Sequence, residues 1–114
     1  MIKIVYCLRR KAGMSAEDFH EYWLNTHGPL VRRHAKTLAI LRYVQTHTTQ
    51  GGLTEAMIAT RGSMIPYDGI AEIWCDSEDA VFAAARTPEG RAAGKEVAED
   101  ERNFIDTESS NIFV

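Results

Sequence analysis

His27 and Tyr43 are the side chains in this sequence best suited to moving a proton on a small molecule. His27 lies where a helix is predicted to end, and an imidazole titrates near neutral pH, so it can act as a general acid or base. A histidine at a helix end can also serve only to hydrogen-bond the last carbonyls, and the residues alone leave both roles open. Tyr43 lies on a predicted strand, where its hydroxyl could orient an enolate or phenolate oxygen.

Two further residues are candidate substrate contacts because of their spacing from this pair. Trp23 precedes His27 by four residues, which places the two side chains on one face of a helix. His47 alternates with Gln45 and Tyr43, so these three polar groups share one face of a strand. That face is expected to line a lumen, and the alternative is that it packs on the helices.

Glu72 and Trp74 are candidate substrate contacts on another predicted strand. A carboxylate in a central strand needs a partner or a raised pKa, and either condition can mark a site. The structural alternative for Glu72 is an ion pair with Arg9 or Arg42. Trp74, like Trp23, can instead belong to the hydrophobic core.

Composition indicates one globular domain over residues 1–114. Hydrophobic residues make up 45% and charged residues 25%, with a net charge of −3 and no concentrated basic patch, which argues against a nucleic-acid partner. No apolar segment is long enough for a signal peptide or a membrane span, so we expect a cytoplasmic protein. Nucleotide, flavin and zinc motifs are lacking, so neither a cofactor nor a metal site is predicted. Cys7 and Cys75 are expected to be buried structural thiols.

The candidate residues are carried by alternating strands and helices. Strands are predicted at 2–9, 39–49, 70–75 and 108–114. Helices are predicted from the cap Ser15 to near His27, over 29–36, from the cap Ser77 to about Ala85, and from the cap Thr87 to about Ile105. Gly28 is expected to end its helix in the left-handed conformation, and 53–68 to form a loop with a short helical piece over 55–59. His20 and His34 are expected at the surface.

The order β-α-β-β-α-β predicts an α+β, ferredoxin-like protomer with both helices on one side of an antiparallel sheet. The other face of the sheet, carrying either the set Val5, Cys7 and Ile73 or the opposite parity, is too apolar to remain in water. We therefore expect a homodimer in which two sheets face each other as an α/β barrel, with part of the lumen left as a pocket.

Two segments carry a resemblance to a known family. Residues 14–31, MSAEDFHEYWLNTHGPLV, contain a Phe, a Tyr-Trp pair and a His-Gly-Pro-Leu run after the first strand, and residues 68–77 read DGIAEIWCDS. Both resemble the EthD family, and the resemblance covers nearly the whole chain. It implies a dimeric α/β barrel of ferredoxin-like protomers that holds small hydrophobic or aromatic ligands between sheet and helices, without a metal or organic cofactor.

Relatives in this family resemble accessory proteins of ether-degrading systems, muconolactone isomerases, and lyases or cyclases of polyketide-derived aromatics. By similarity to the lactone-isomerase branch, His27 and Tyr43 fall where that branch has a pocket histidine and tyrosine. The cysteine of that branch is replaced here by Ile73, and no histidine lies between Gly51 and Trp74. The resemblance therefore implies a cofactor-independent isomerase, lyase or cyclase, with a non-catalytic binding protein or a cofactor-free oxygenase as alternatives.

Overall fold

The computed structural model covers residues 1–114 and contains a four-stranded antiparallel sheet with helices on one face. The strands are β1 (Ile2–Leu8), β2 (Ile40–His47), β3 (Gly69–Cys75) and β4 (Asn111–Phe113). The helices are α1 (Ala16–Tyr22), α2 (Gly28–Arg33), α3 (Gly52–Arg61), α4 (Glu78–Arg86) and α5 (Pro88–Glu101). The strand order β2-β3-β1-β4 is that of the ferredoxin-like unit, so the predicted fold class is confirmed.

Three helices begin at the residues that the sequence marks as caps. The Ser15 hydroxyl accepts the N–H of Asp18 at 3.1 Å, and the Ser77 hydroxyl accepts that of Ala80 at 3.1 Å. Thr87 accepts the N–H of Gly90 at 2.9 Å. Each bond satisfies a backbone donor that the first helical turn leaves free, which explains why these helix starts can be read from the sequence.

The hydrophobic core lies between the sheet and the helices. Its buried members are Leu8, Phe19, Trp23, Ala71, Phe104 and Ile105. Tyr6 and Tyr43 pack against this cluster from the sheet. Ile73 belongs to the same helix-facing side, because it lies two residues after the core residue Ala71 on one strand, whereas Val5 pairs with Glu72 on the opposite side. The expected grouping of Ile73 with Val5 and Cys7 is therefore wrong, since strand side chains alternate between faces.

The largest differences from the predicted elements lie at Gly28, in the 53–68 segment and at the C-terminal end of the chain. Gly28 is right-handed, with φ −55°, and the chain continues through it from one helix into the next. The 53–68 segment contains a full helix, α3, which ends at Gly62 with φ 63°. Helix α5 ends at Glu101, and the last strand is reduced to three residues after a short 3₁₀ turn over Thr107–Ser109.

None of the helices combines the length and the hydropathy that a membrane span requires. The cytoplasmic location expected from the sequence stays a prediction.

Gly69 is required where β3 passes under Trp23. A Cβ built at this position would lie 2.4 Å from an indole carbon of Trp23 and 2.6 Å from the carbonyl oxygen of Thr46. We expect Gly69→Ala to lower the free energy of unfolding by about 1–3 kcal/mol through overpacking. Chemical denaturation measures this change. The control is Gly52→Ala in α3, where nothing lies within 4 Å of the new Cβ, and which should be neutral or slightly stabilising. Equal effects of both substitutions would contradict the steric explanation.

Candidate functional site

The helical chain widens between Trp23 and His27, where the backbone forms a π-turn. The N–H of Gly28 donates to the carbonyl of Trp23, five residues back. Turns of this kind are rare and frequently lie at functional sites. This one directs both aromatic side chains inward, where Trp23 is 1% and His27 is 5% exposed.

These two side chains line a cavity of about 110 Å³ between the sheet and the helices. Its walls are Tyr6, Leu8, Trp23, His27, Val31, Leu38, Ile40, Tyr43, Ala71, Ile73, Val97, Glu101 and Ile105. A bulge between Ile40 and Arg42 allows Ile40 and Tyr43 to face the same side of β2. The lining of this small cavity, apolar with a few polar groups, has the chemical character of small-molecule sites.

His27 is oriented by a carboxylate from the other end of the chain. Its Nδ1 lies 2.8 Å from Oδ2 of Asp100, and its ring packs on Phe104 with centroids 4.8 Å apart. Burial lowers the pKa of His27, and the opposing effect of Asp100 is smaller. The pair is therefore a hydrogen bond from a neutral imidazole to a carboxylate rather than an ion pair. Nδ1 carries the proton, and no protein group hydrogen-bonds Nε2.

Asp100 is held in place by two further donors. The hydroxyl of Tyr22 donates to Oδ1 at 2.5 Å, and the amide of Asn103 donates to the same oxygen at 3.1 Å. Burial alone would raise the pKa of Asp100, but the hydrogen bonds from Tyr22, His27 and Asn103 outweigh it, and this pKa lies below its ordinary value. Asp100 therefore stays ionised and keeps the histidine in one tautomer.

Glu101 is the second acidic group of the site. Its side chain lines the apolar cavity, and no protein donor hydrogen-bonds its carboxylate. Burial, assisted by the nearby charge of Asp100, raises the pKa of Glu101 from 4.5 to about 7. A carboxyl group with this pKa holds a proton for about half of the time near neutral pH, which suits a general acid or base.

Tyr43 is bonded to the helix through Gln45. The amide nitrogen of Gln45 donates to the Tyr43 hydroxyl at 2.7 Å and to the Trp23 carbonyl at 2.9 Å. Burial raises the pKa of Tyr43, against the smaller opposing effect of the bond from Gln45. These contacts place the Tyr43 face of β2 against the helices, so the expectation that it lines a lumen between two sheets is wrong.

His47 lies beside the cavity rather than in its wall. Its ring stacks on Trp23, with centroids 4.4 Å apart and an interplanar angle of 21°, and its Nε2 lies 2.7 Å from Oε1 of Gln45. The ring of His47 also lies 4.8 Å from that of His20, whose two ring nitrogens are buried without a partner. His20 therefore does not lie on the surface as expected. Burial lowers the pKa of His47, and His20 adds to the effect.

Glu72 and Trp74 lie on the opposite face of the sheet from the cavity. Glu72 pairs with Lys3 at 2.9 Å, rather than with either arginine considered from the sequence. Trp74 lies between two cations, with Lys3 at 5.1 Å and Arg42 at 4.9 Å from its ring centroid. Neither residue can therefore contact a ligand held beside His27 in the same protomer.

The family model of the EthD domain matches residues 11–108. The chain belongs to the EthD family. No curated protein matches the sequence.

Solved structures of other proteins share the fold of this EthD-family chain. An EthD family protein from Bacillus halodurans C-125 has a TM-score of 0.58 at 20% identity, over 100% of this chain and 98% of its own. A dimeric protein of unknown function with a ferredoxin-like fold, from Bacteroides fragilis, has a TM-score of 0.59 at 14% identity, over 97% and 90%. HapK from Hahella chejuensis has a TM-score of 0.59 at 10% identity, over 99% and 91%. At these identities the likeness shows the fold alone.

The structure therefore brings only some of the site residues predicted from the sequence together. The structure brings His27, Tyr43 and Trp23 to one cavity of this EthD-family protein. It does not place the other three candidates in that cavity wall. Asp100 and Glu101 were missed, although Glu101 follows Val97 by four residues and precedes Phe104 by three. An acid at that spacing falls on the apolar stripe of its helix, and this was the available signal.

Glu101 should make the protein less stable as pH rises. The folded chain holds this proton more tightly than the unfolded chain, so its contribution is present below the ordinary pKa and lost as pH rises through about 7. The buried histidines, with lowered pKa values, contribute the opposite slope. Comparison with a variant isolates the carboxyl group. We expect the change in the free energy of unfolding caused by Glu101→Gln to be about 2 kcal/mol more favourable at about pH 8 than at about pH 5.

Denaturant unfolding at both pH values measures this difference. Glu99→Gln is the matched control, because Glu99 is an exposed carboxylate on the same helix. A Glu101→Gln effect that does not vary with pH would show that the carboxyl group is solvated.

Proposed function

We propose that this EthD-family protein is a cofactor-independent isomerase, lyase or cyclase that moves a proton on a small cyclic or aromatic compound. The observation that carries the proposal is that His27, Glu101 and Tyr43 line one apolar cavity. A base, an acid and a hydroxyl donor suffice for enolisation of a carbon next to a carbonyl group. The three reaction types share this first step.

His27 is the proposed base. The bond from Nδ1 to Asp100 leaves Nε2 with a lone pair, and the lowered pKa keeps the imidazole neutral near pH 7. Nε2 takes the proton when the C–H bond breaks, and the electron pair moves to the carbonyl oxygen. Asp100 is ionised and stabilises the imidazolium that forms.

Tyr43 and Glu101 complete the proposed step. The Tyr43 hydroxyl donates a hydrogen bond to the enolate oxygen, which is worth more in an apolar cavity than in water. Protonated Glu101 returns a proton to carbon in an isomerisation or to the leaving group in an elimination. Afterwards the imidazolium loses its proton to solvent and the carboxylate gains one, so both groups regain their starting states.

A non-catalytic binding protein would need only the apolar walls. A base that is oriented by a carboxylate, together with a carboxyl group that titrates near pH 7, is costly to maintain in such a cavity. This cost favours catalysis over simple binding. The proposed ligand is a small hydrophobic ring that carries a carbonyl or phenolic oxygen, of the lactone or polyketide-like class.

Proton exchange with solvent tests the proposal without knowledge of the natural product. Cyclic ketones, lactones and β-diketones are incubated with the protein in deuterium oxide, and mass spectrometry follows the loss of the α-proton. We expect catalysed exchange with part of the panel. His27→Gln should lower the rate by about 10²–10⁴-fold, because the base is lost.

His34→Gln is the matched control for this experiment. His34 also bonds a carboxylate, with Nε2 at 2.8 Å from Glu96, but it does not line the cavity. The control should exchange protons at the parent rate. Compounds that bind tightly without exchange above the buffer rate would instead support the accessory-binding function.

We further propose that a second copy of the chain covers the open face of the sheet. Half-buried Val5, Val44, Ile70 and Trp74 lie on this face, and Phe113 beside them is 54% exposed. Removing such a surface from water favours a two-fold interface between sheets. The Bacteroides fragilis protein of the same fold is described as dimeric, which supports the proposal.

Light scattering on the purified protein tests the dimer. The parent chain should have twice the protomer mass, and Ile70→Lys should shift it towards the monomer, because a charge would be buried without a partner. Ala98→Lys, on the exposed side of α5, should stay dimeric. A parent chain that is monomeric at all concentrations would refute the interface.

A further inference from the structure

Both hydrogens and the oxygen of the Gln45 side-chain amide form hydrogen bonds, and one of the partners fixes which end is the nitrogen. A carbonyl oxygen only accepts hydrogen bonds, so the Gln45 atom 2.9 Å from the Trp23 carbonyl must be the nitrogen. The same nitrogen donates its second hydrogen to Tyr43 at 2.7 Å. Oε1 then accepts the N–H of His47 at 2.7 Å. Flipping the amide would set its oxygen against the Trp23 carbonyl, which cannot donate, so this contact fixes the orientation, whereas a hydroxyl and an imidazole nitrogen can each donate or accept.

This orientation decides what the Tyr43 hydroxyl can do. Its oxygen already accepts a hydrogen bond from Gln45, and its own proton is donated to no protein acceptor. The hydroxyl that lines the cavity is therefore left as a donor, and acceptance from Gln45 makes it a stronger one, because bonds in a chain polarise one another.

The backbone at Gly28 provides the space for this arrangement. A Cβ at Gly28 would lie 2.9 Å from the Gln45 nitrogen and 3.2 Å from the Trp23 carbonyl oxygen. Since Gly28 is right-handed, its glycine is explained by this close approach and not by its backbone angles.

We propose that Gln45 is a positioning residue that makes Tyr43 an obligate hydrogen-bond donor, so that the cavity selects ligands presenting an anionic or carbonyl oxygen to Tyr43. The proposal rests on the proposed function in that it concerns the same cavity, but it makes a claim about binding that does not require turnover. Gln45 acts through Tyr43 and touches no ligand.

The probe for the test is 4-nitrophenol, whose phenol and phenolate forms differ in visible absorption. A strong donor from Tyr43 favours the bound phenolate, so the parent protein should lower the pKa of the bound probe relative to a Tyr43→Phe variant. Gln45→Met keeps the side-chain volume and removes the amide. We expect it to weaken phenolate binding about 5-fold or more, with little change for the neutral phenol.

Gln45→Glu provides a second variant with a distinct outcome. Its carboxylate would accept the Tyr43 proton and remove the donor from the cavity, so phenolate binding should fall further than in Gln45→Met. Unfolding curves establish that each variant is folded. A loss of packing alone would weaken phenol and phenolate alike and would overturn the proposal.

The double variant separates positioning from direct effects. In the Tyr43→Phe background, Gln45→Met should leave probe binding unchanged, because the hydroxyl through which it acts is gone. Equal effects of Gln45→Met in both backgrounds would overturn the proposal. Failure of the catalytic proposal is seen separately: proton exchange that is insensitive to His27→Gln refutes catalysis while leaving the Gln45 result intact.

Discussion

The site depends on the backbone carbonyl of Trp23, which accepts two hydrogen bonds from different parts of the chain. One comes from the N–H of Gly28 and closes the π-turn, and the other comes from Gln45 on β2. A regular α-helical turn would direct these groups elsewhere, because its ladder joins residues four apart. The widened turn thus attaches the helix to the sheet and directs Trp23 and His27 into the space between them.

The C-terminal end of α5 brings two carboxyl groups to the same space between helices and sheet. Negative charge is unfavourable near a helix C-terminus, yet Asp100 and Glu101 are consecutive there. Asp100 is compensated by three donors, whereas Glu101 has none and instead shifts its pKa to about 7. The surroundings thus keep Asp100 ionised and leave Glu101 protonated for about half of the time near pH 7. Such a difference between two carboxyl groups is the condition for dividing acid and base roles between side chains.

Sequence reasoning recovered the parts of this structure that are encoded locally. The caps at Ser15, Ser77 and Thr87 and the positions of the first three strands depend on near neighbours, so they were readable. Which face of each strand meets the helices depends on the pairing between strands, and the faces of Ile73 and Tyr43 were therefore misassigned. The partner of His27 lies 73 residues away, and no local pattern identifies it. Gly28 was assigned a left-handed helix end because the usual reason for glycine is backbone freedom, whereas here it is contact with a side chain from β2.

The side chains of strand β3 alternate between the two faces of the sheet, and this explains why Glu72 and Trp74 do not line the cavity. Ala71 and Ile73 form part of the cavity floor, while Glu72 and Trp74 between and beyond them face the other way. A second copy packed on the outer face of the sheet would restrain β3 and so limit the movement of Ala71 and Ile73 in the cavity wall. Packed interiors transmit such constraints because they contain little free volume. The interface and the cavity would then be coupled through the thickness of a single sheet, with no ligand contact from Glu72 or Trp74 required.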